Sequence, residues 1–223
     1  VDSQALMDIF AMDEKLNISR RYLRPGLAFG GSCLPKDVRG LVRFAQNAGI
    51  EIPVLESVLP SNDRHAERCV RLIEGKGNRR VGVLGITFKA NTDDLRESPM
   101  VRIVERLDTD GYDVRVFDAN LKAPVNGASV ELRRLRNLLV TDVDEVLRHA
   151  ETLVISNSDK VYRDLVSRIP SNVCVVDFAH MCGTRVTRDG PEEHDDRLPR
   201  DHILMHGSEP AGEYRFGENY HRT

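Results

Sequence analysis

No tryptophan occurs in the 223 residues, and the aromatic residues together make up only 5% of them. That scarcity argues against a base-stacking platform for single-stranded nucleic acid. An excess of one charge is missing too. The chain carries 32 Lys and Arg against 35 Asp and Glu, a formal net charge of −3. This gives no electrostatic case for nucleic acid or a membrane surface as partner. No apolar run approaches the ~20 residues that span a bilayer, and the chain does not open on a secretory signal. Cysteine is sparse: Cys33, Cys69, Cys174 and Cys182 lie far apart, with no CxxC pair. They form no disulfide framework for a chain of this length, so the expectation is a reduced, cytoplasmic protein. The sequence also starts in mid-pattern, without an initiator Met, and is read as lacking an upstream part.

Against this background one stretch stands out, Phe29-Gly30-Gly31-Ser32-Cys33-Leu34-Pro35-Lys36-Asp37. Two glycines free the backbone just before a cysteine. Pro35 suits the first turn of a helix. Leu34, Val38, Leu41, Ala45 and Ala48 then repeat at helical spacing, with Gly49 as a stop. Cys33 is therefore placed at or just before a helix N-terminus, where unpaired N–H groups and the helix dipole favour a thiolate. Lys36 adds positive charge one turn on. Such settings lower a thiol pKa from ~8.5 to roughly 3.5–7.5. Cys33 is thus a candidate nucleophile, and a buried structural cysteine before an ordinary helix is the alternative.

Upstream, residues 1–16 read as a helix with Ala5, Ile9, Met12 and Leu16 on one face. A loop with Arg20, Arg21, Tyr22 and Arg24 follows, ending at Pro25-Gly26. Guanidinium forks match phosphate oxygens, though on the residues alone a solvated basic loop is the preferred reading. Downstream, residues 53–74 are expected to be helical but broken at Pro60, with Ser61 or Asn62 capping the restart. His65 and Cys69 share a face at metal-ligand spacing, without further ligands nearby; a core cysteine beside a surface histidine is the preferred reading.

Gly75-Lys76-Gly77-Asn78 marks a boundary. Beyond it, strands at Arg80–Phe88, Asp113–Asp118, Thr152–Ser156 and Val173–Phe178 alternate with helices at residues 99–109, after Asp142, and at residues 160–168. Apolar strands alternating with helices predict an α/β fold with a parallel sheet covered on both faces. It is not a dinucleotide fingerprint. Gly82 and Gly85 are followed by Thr87-Phe88-Lys89, where a third glycine and a helix would be needed. What leaves the first strand is a polar loop, Lys89 to Ser98, at the edge where ligands bind such sheets. Lys89 can meet a phosphate or sugar hydroxyl, and Arg96 can hold an anion through two nitrogens. Asp93, Asp94 and Glu97 could be taken for a metal site, but a loop-orienting role for Asp93 or Asp94 is preferred. After about residue 180, histidines scatter among Gly, Pro, Asp, Glu and Arg in no standard metal spacing, and a polar tail is expected.

Two of these segments carry a resemblance. Tyr22-Leu23-Arg24-Pro25-Gly26-Leu27-Ala28-Phe29 with the following GGSCLPKDVRGL resembles the catalytic-cysteine segment of the UDP-glucose/GDP-mannose 6-dehydrogenase family, and is most similar to its GDP-mannose branch. Thr87-Phe88-Lys89-Ala90-Asn91-Thr92-Asp93-Asp94-Leu95-Arg96-Glu97-Ser98-Pro99 resembles the same family's C-terminal signature. The resemblance runs from residue 1 to about 180. It implies a helical central and dimerisation segment over 1–76, a Rossmann-like nucleotide-sugar-binding domain over 77–180, and a tail over 181–223. The family's N-terminal NAD-binding domain is not in the chain.

It further implies that Cys33 is the nucleophile and that Asp37, one helical turn on, helps position or activate water. Tyr22, Arg24, Leu27, Gly30 and Lys89 match substrate-binding positions, with Gly30-Gly31 letting the substrate approach closely. Lys36 and Arg96 match positions that contact NAD, the expected cofactor, and no metal is expected. Arg21 departs from relatives that often carry an aromatic there. The partners implied are a nucleotide sugar and a second copy of the chain in a homodimer or higher oligomer. The implied reaction is oxidation of GDP-mannose to GDP-mannuronate with two NAD, through a thiohemiacetal and a thioester on Cys33. Oxidation of UDP-glucose is the main alternative, and a non-catalytic substrate-binding or dimerisation fragment is another. A Cys-dependent hydrolase is disfavoured because no His lies near Cys33 in sequence.

Overall fold

The computed structural model describes residues 3–13, 15, 25–121 and 135–182. These fall into two compact units, one ending at Pro25 and one beginning at Gly26. The first contains helix α1 (Ser3–Phe10), which closes in a turn whose Ala11 N–H donates to the Met7 carbonyl. The helix expected over residues 1–16 is thus shorter: by Ala11 and Met12 the backbone has left the helix.

The second unit opens with two helices, α2 (Leu34–Ala48) and α3 (Pro53–Glu74). At the end of α2, Gly49 adopts a left-handed φ of 69°. The Gly49 N–H donates to the Gln46 carbonyl and the Ile50 N–H to the Ala45 carbonyl, the paired bonds of a Schellman stop. α3 begins on Pro53 and runs unbroken through Pro60 to Glu74. The expected interruption is absent. Proline removes one backbone donor, but burial of Ala66, Cys69, Val70 and Ile73 along one face holds the helix together.

Four parallel strands follow: β1 (Arg80–Leu84), β2 (Asp113–Phe117), β3 (Thr152–Ile155) and β4 (Cys174–Asp177). Their order is β2-β1-β3-β4. In register, Val83 stands opposite Val116 on one side and Val154 on the other. The helices between them are α4 (Pro99–Thr109), α5 (Val143–His149) and α6 (Lys160–Leu165), the last continued by a 3-10 turn over Val166–Arg168. One sheet face, with Val81, Val83, Val114, Val116 and Val154, packs on Ile73 of α3 and on Met100, Ile103, Val104 and Leu107 of α4. The other, with Leu84, Leu153 and Ile155, packs on Val146 of α5 and on Tyr162 and Leu165 of α6. A sheet apolar on both faces needs this double cover. β1 is shorter than the strand read from sequence because Gly85 turns out at a φ of 87°, so the chain enters the loop of residues 86–98 earlier.

Candidate active site

Cys33 is the residue before α2 and is exposed to solvent. Its carbonyl accepts the Asp37 N–H at 2.8 Å, the first bond of the helix. The thiol therefore lies at the end where the helix leaves N–H groups unpaired. Sγ is 3.7 Å from Ser32 Oγ. Pro35 is buried in the first turn, and Asp37 and Lys36 stand exposed beside each other, Nζ to Oδ1 at 3.5 Å.

The glycine turn that delivers Cys33 is fitted against the loop after β1. A Cβ on Gly30 would lie 2.1 Å from the Glu97 carbonyl oxygen and 2.7 Å from Pro99. Gly31 has a φ of 89°, and a Cβ there would lie 2.8 Å from the Phe88 ring. The close approach that these glycines permit is thus to the chain's own loop. Glu97 itself has a φ of 54°, a left-handed conformation that non-glycine residues seldom adopt.

That loop is held at both ends. Asp118, buried just after β2, accepts from the Ile86 N–H at 2.7 Å and from the Thr87 N–H and Oγ1 at 3.0 Å each. Ser98 Oγ donates to the Ile86 carbonyl at 2.6 Å and closes the loop's far end. Within it, Arg96 makes two 2.8 Å bonds from Nε and a terminal nitrogen to the two oxygens of Asp94. The Arg96 backbone N–H also donates to Asp94 Oδ1. The Arg96 guanidinium holds the Asp94 carboxyl below its ordinary range. Asp94 in turn holds Arg96 in its charged form. Asp94 is thus the loop-orienting acid. The anion that Arg96 grips here is its own neighbour.

A cleft of about 500 Å³ lies between the start of α2, this loop and α4, lined among others by Ser32, Lys36, Arg39, Arg96, Ser98 and Arg102. Two carboxylates, Glu97 and Glu105, also line it. Arg39 is paired with Glu97 and Arg102 with Asp63. Lys36 and Arg96, sixty positions apart in sequence, both line this cleft, Lys36 beside Asp37 and Arg96 held by Asp94. A phosphate-bearing group would compete with these carboxylates for the two cations. The turn after β1 does not suit a dinucleotide. Gly85 is packed by Asn157 and Ser156, whose side chains a Cβ would meet at 2.6 and 2.8 Å, and the next helix begins only at Pro99.

Of the remaining expected site residues, Lys89 is exposed with Nζ 5.1 Å from the centre of the Phe88 ring. Leu27 is half-buried against the core. Tyr22 and Arg24 lie outside the described residues. Sequence reasoning missed Asn62 and His65, which hold the turn from behind. Asn62 bonds both polar groups of the Phe29 backbone, and His65 Nε2 lies 2.9 Å from the Gly26 carbonyl. The available signal was an asparagine inside a helix, three residues before a histidine. Cys69, four residues on, is core, and burial pushes its thiol up to about 11. Among the described residues no cluster of His, Cys, Asp or Glu is arranged to hold a metal ion. No helix among them is long and apolar enough to cross a membrane.

Residues 1–64 match the central-domain model of the UDP-glucose/GDP-mannose dehydrogenase family, and residues 82–184 match that family's UDP binding domain. The chain is 46% identical over 184 residues to a GDP-mannose 6-dehydrogenase from Pseudomonas aeruginosa, a match covering 80% of this chain and 42% of the relative. It is 34% identical over 121 residues to a UDP-glucose 6-dehydrogenase from Bacillus subtilis, covering 52% of this chain and 26% of that one. The crystal structure of a ternary complex of GDP-mannose dehydrogenase from Pseudomonas aeruginosa superposes with a TM-score of 0.71 at 44% identity, covering 84% of this chain and 44% of that chain. A UDP-glucose dehydrogenase from Pyrobaculum islandicum superposes at 0.66 with 30% identity, covering 81% and 41%. The chain spans less than half the length of these relatives.

Proposed function

The chain belongs to the UDP-glucose/GDP-mannose dehydrogenase family, and from that premise we propose that it is the substrate-oxidising part of an NAD-dependent GDP-mannose 6-dehydrogenase. The observation that carries the reading is the exposed Cys33 at the N-terminus of α2, beside a cleft walled by Lys36 and Arg96. The identity to GDP-mannose 6-dehydrogenases, higher and over more residues than that to a UDP-glucose enzyme, supports the substrate.

In this reading the C6 alcohol of the sugar is oxidised to an acid at one site. NAD, when bound, supplies the hydride acceptor for the oxidations. Lys36 and Arg96 contact its anionic part, while the packed turn after β1 leaves the cradling of the dinucleotide to a domain other than this sheet. Cys33 sulfur attacks the C6 aldehyde, forming a C–S bond and a thiohemiacetal whose oxygen takes a proton. The covalent link keeps the aldehyde in place. Once that adduct is oxidised to a thioester, water attacks its carbonyl, the C–S bond breaks, and the acid leaves as the thiol is regenerated. Asp37, one turn along the same helix, positions that water. Lys89 and Leu27, with Gly30, Tyr22 and Arg24, bind the nucleotide sugar. In this reading residues 1–76 form the central dimerisation segment and 77–180 the nucleotide-sugar domain, the protein working as a homodimer or higher oligomer in the cytoplasm.

Calorimetric titration of the chain with GDP-mannose, with UDP-glucose as control, tests the substrate; preferential binding of UDP-glucose would overturn it. In the protein at the length of its relatives, Cys33→Ser abolishes formation of the sugar acid from GDP-mannose. Acid accumulating at the wild-type rate would sink the nucleophile.

A further inference from the structure

Asn62 lies inside α3, where asparagine is a poor helix residue because its short amide competes for backbone partners. Its amide does take backbone partners, but on another segment. Oδ1 accepts the Phe29 N–H at 2.9 Å, and Nδ2 donates to the Phe29 carbonyl at 2.8 Å. One planar side chain thus holds both polar groups of one residue, as a neighbouring strand would. A single bond fixes a distance; the pair also fixes the rotation of the peptide planes on either side of Phe29.

One turn further along α3, His65 Nε2 donates to the Gly26 carbonyl at 2.9 Å. The acceptor has no proton, so the ring's proton sits on Nε2. From the opposite side, Gly30 and Gly31 meet the Glu97 carbonyl and the Phe88 ring with no room for a Cβ. The segment from Gly26 to Gly31 is therefore caught between α3 and the loop that carries Arg96. Cys33 follows two residues later.

We propose that Asn62 is a positioning residue for the Cys33 thiol: its two bonds to Phe29 set the path of the glycine turn, and so the place of Sγ at the start of α2, next to the cleft that Ser32 lines. Its functional meaning rests on Cys33 being the nucleophile. Ordinary loop packing would need no residue to satisfy both groups of Phe29. A turn containing two glycines has the backbone freedom to drift, and an anchor just ahead of it removes that freedom where placement of the thiol matters.

The test uses the whole 223-residue chain and compares Asn62→Ala and Asn62→Asp with Asn78→Ala. Asn78 also makes two side-chain bonds, to the Glu151 carbonyl and Thr152 Oγ1, at the far ends of β1 and β3. It therefore controls for lost stability alone. Phe29 amide exchange is expected to speed up about tenfold in Asn62→Ala, the loss of one or two hydrogen bonds. Alkylation of Cys33 by iodoacetamide, followed by peptide mass spectrometry, changes about fivefold, because the sulfur is no longer held in one place at the start of α2. Asn62→Asp keeps the acceptor and loses the donor, so it falls between, and it serves if the alanine variant does not fold. Asn78→Ala changes neither rate at a comparable loss of melting temperature.

Unchanged Phe29 exchange would overturn the anchor. Faster exchange with unchanged alkylation would overturn the positioning role, as would equal effects from Asn78→Ala. Neither rate depends on turnover. A Cys33→Ser enzyme that still made acid would remove the nucleophile without altering what these rates say about Asn62.

Discussion

Asp94 shows what one residue does at the site. Three donors from Arg96 converge on its carboxylate, and they hold its pKa below the ordinary 3.8. A carboxyl whose folded pKa is depressed binds fewer protons folded than unfolded, so it adds stability in full above the unfolded value. That contribution is lost as pH falls through the lower folded one. On acidification below about pH 4, protonation of Asp94 is expected to release Arg96 and loosen the loop of residues 86–98. The amide resonances of this loop should move together in that window, and Asp94→Asn should abolish the transition. A transition that persists in Asp94→Asn would place its cause in another carboxyl. The four-residue spacing of His65 and Cys69 invited a metal, but distance along a helix says nothing of what lies opposite. One side chain reaches a carbonyl and the other is core.

Among the elements, α2 has a start and a stop that are both legible. A proline in its first turn and a glycine at its end are local chemistry, and both are used as expected. α3 is read with a break that it does not have. Pro60 is a local signal for a break, and tertiary burial of the helix face outweighs it. The glycine turn between α2 and the loop after β1 yields a graded prediction. Gly30→Ala and Gly31→Ala each force a Cβ into occupied space, the second at a left-handed φ as well. Each should cost about 1–3 kcal/mol by thermal or denaturant melting. Gly40, inside α2 with nothing within 4 Å of an added Cβ, should behave oppositely, Gly40→Ala stabilising by about 0.5–1 kcal/mol. Equal behaviour of all three would mean that the turn is not packed as described.

At the scale of the whole molecule, apolar residues divide into those the fold buries and those it leaves out. Ile103 is 1% exposed between α4 and the sheet, while Phe44 on α2 is 70% exposed. Ile103→Ala should cost about 2–5 kcal/mol in the unfolding free energy. Phe44→Ser should change it by less than about 0.5 kcal/mol, and a large loss there would show that this face of α2 is covered within the chain. Leu41, which periodicity puts on the apolar face of α2, is exposed as well, because a pattern marks an apolar face without saying what meets it. What the sequence by itself determined is local. The alternation of apolar strands and helices specifies a parallel sheet covered on both sides, since such strands cannot face water. Gly-Gly-Ser-Cys-Leu-Pro places a thiol at a helix start because glycine frees the backbone and proline suits the first turn. Only the tertiary structure decided which distant groups surround the turn that carries that thiol. Lys36 and Arg96 line one cleft, Asn62 grips Phe29 across thirty-three positions, and Asp118 ties down the loop after β1. These contacts are made by the packing of α2, α3 and α4 and by the strand order of the sheet, and spacing along the chain carries no trace of either.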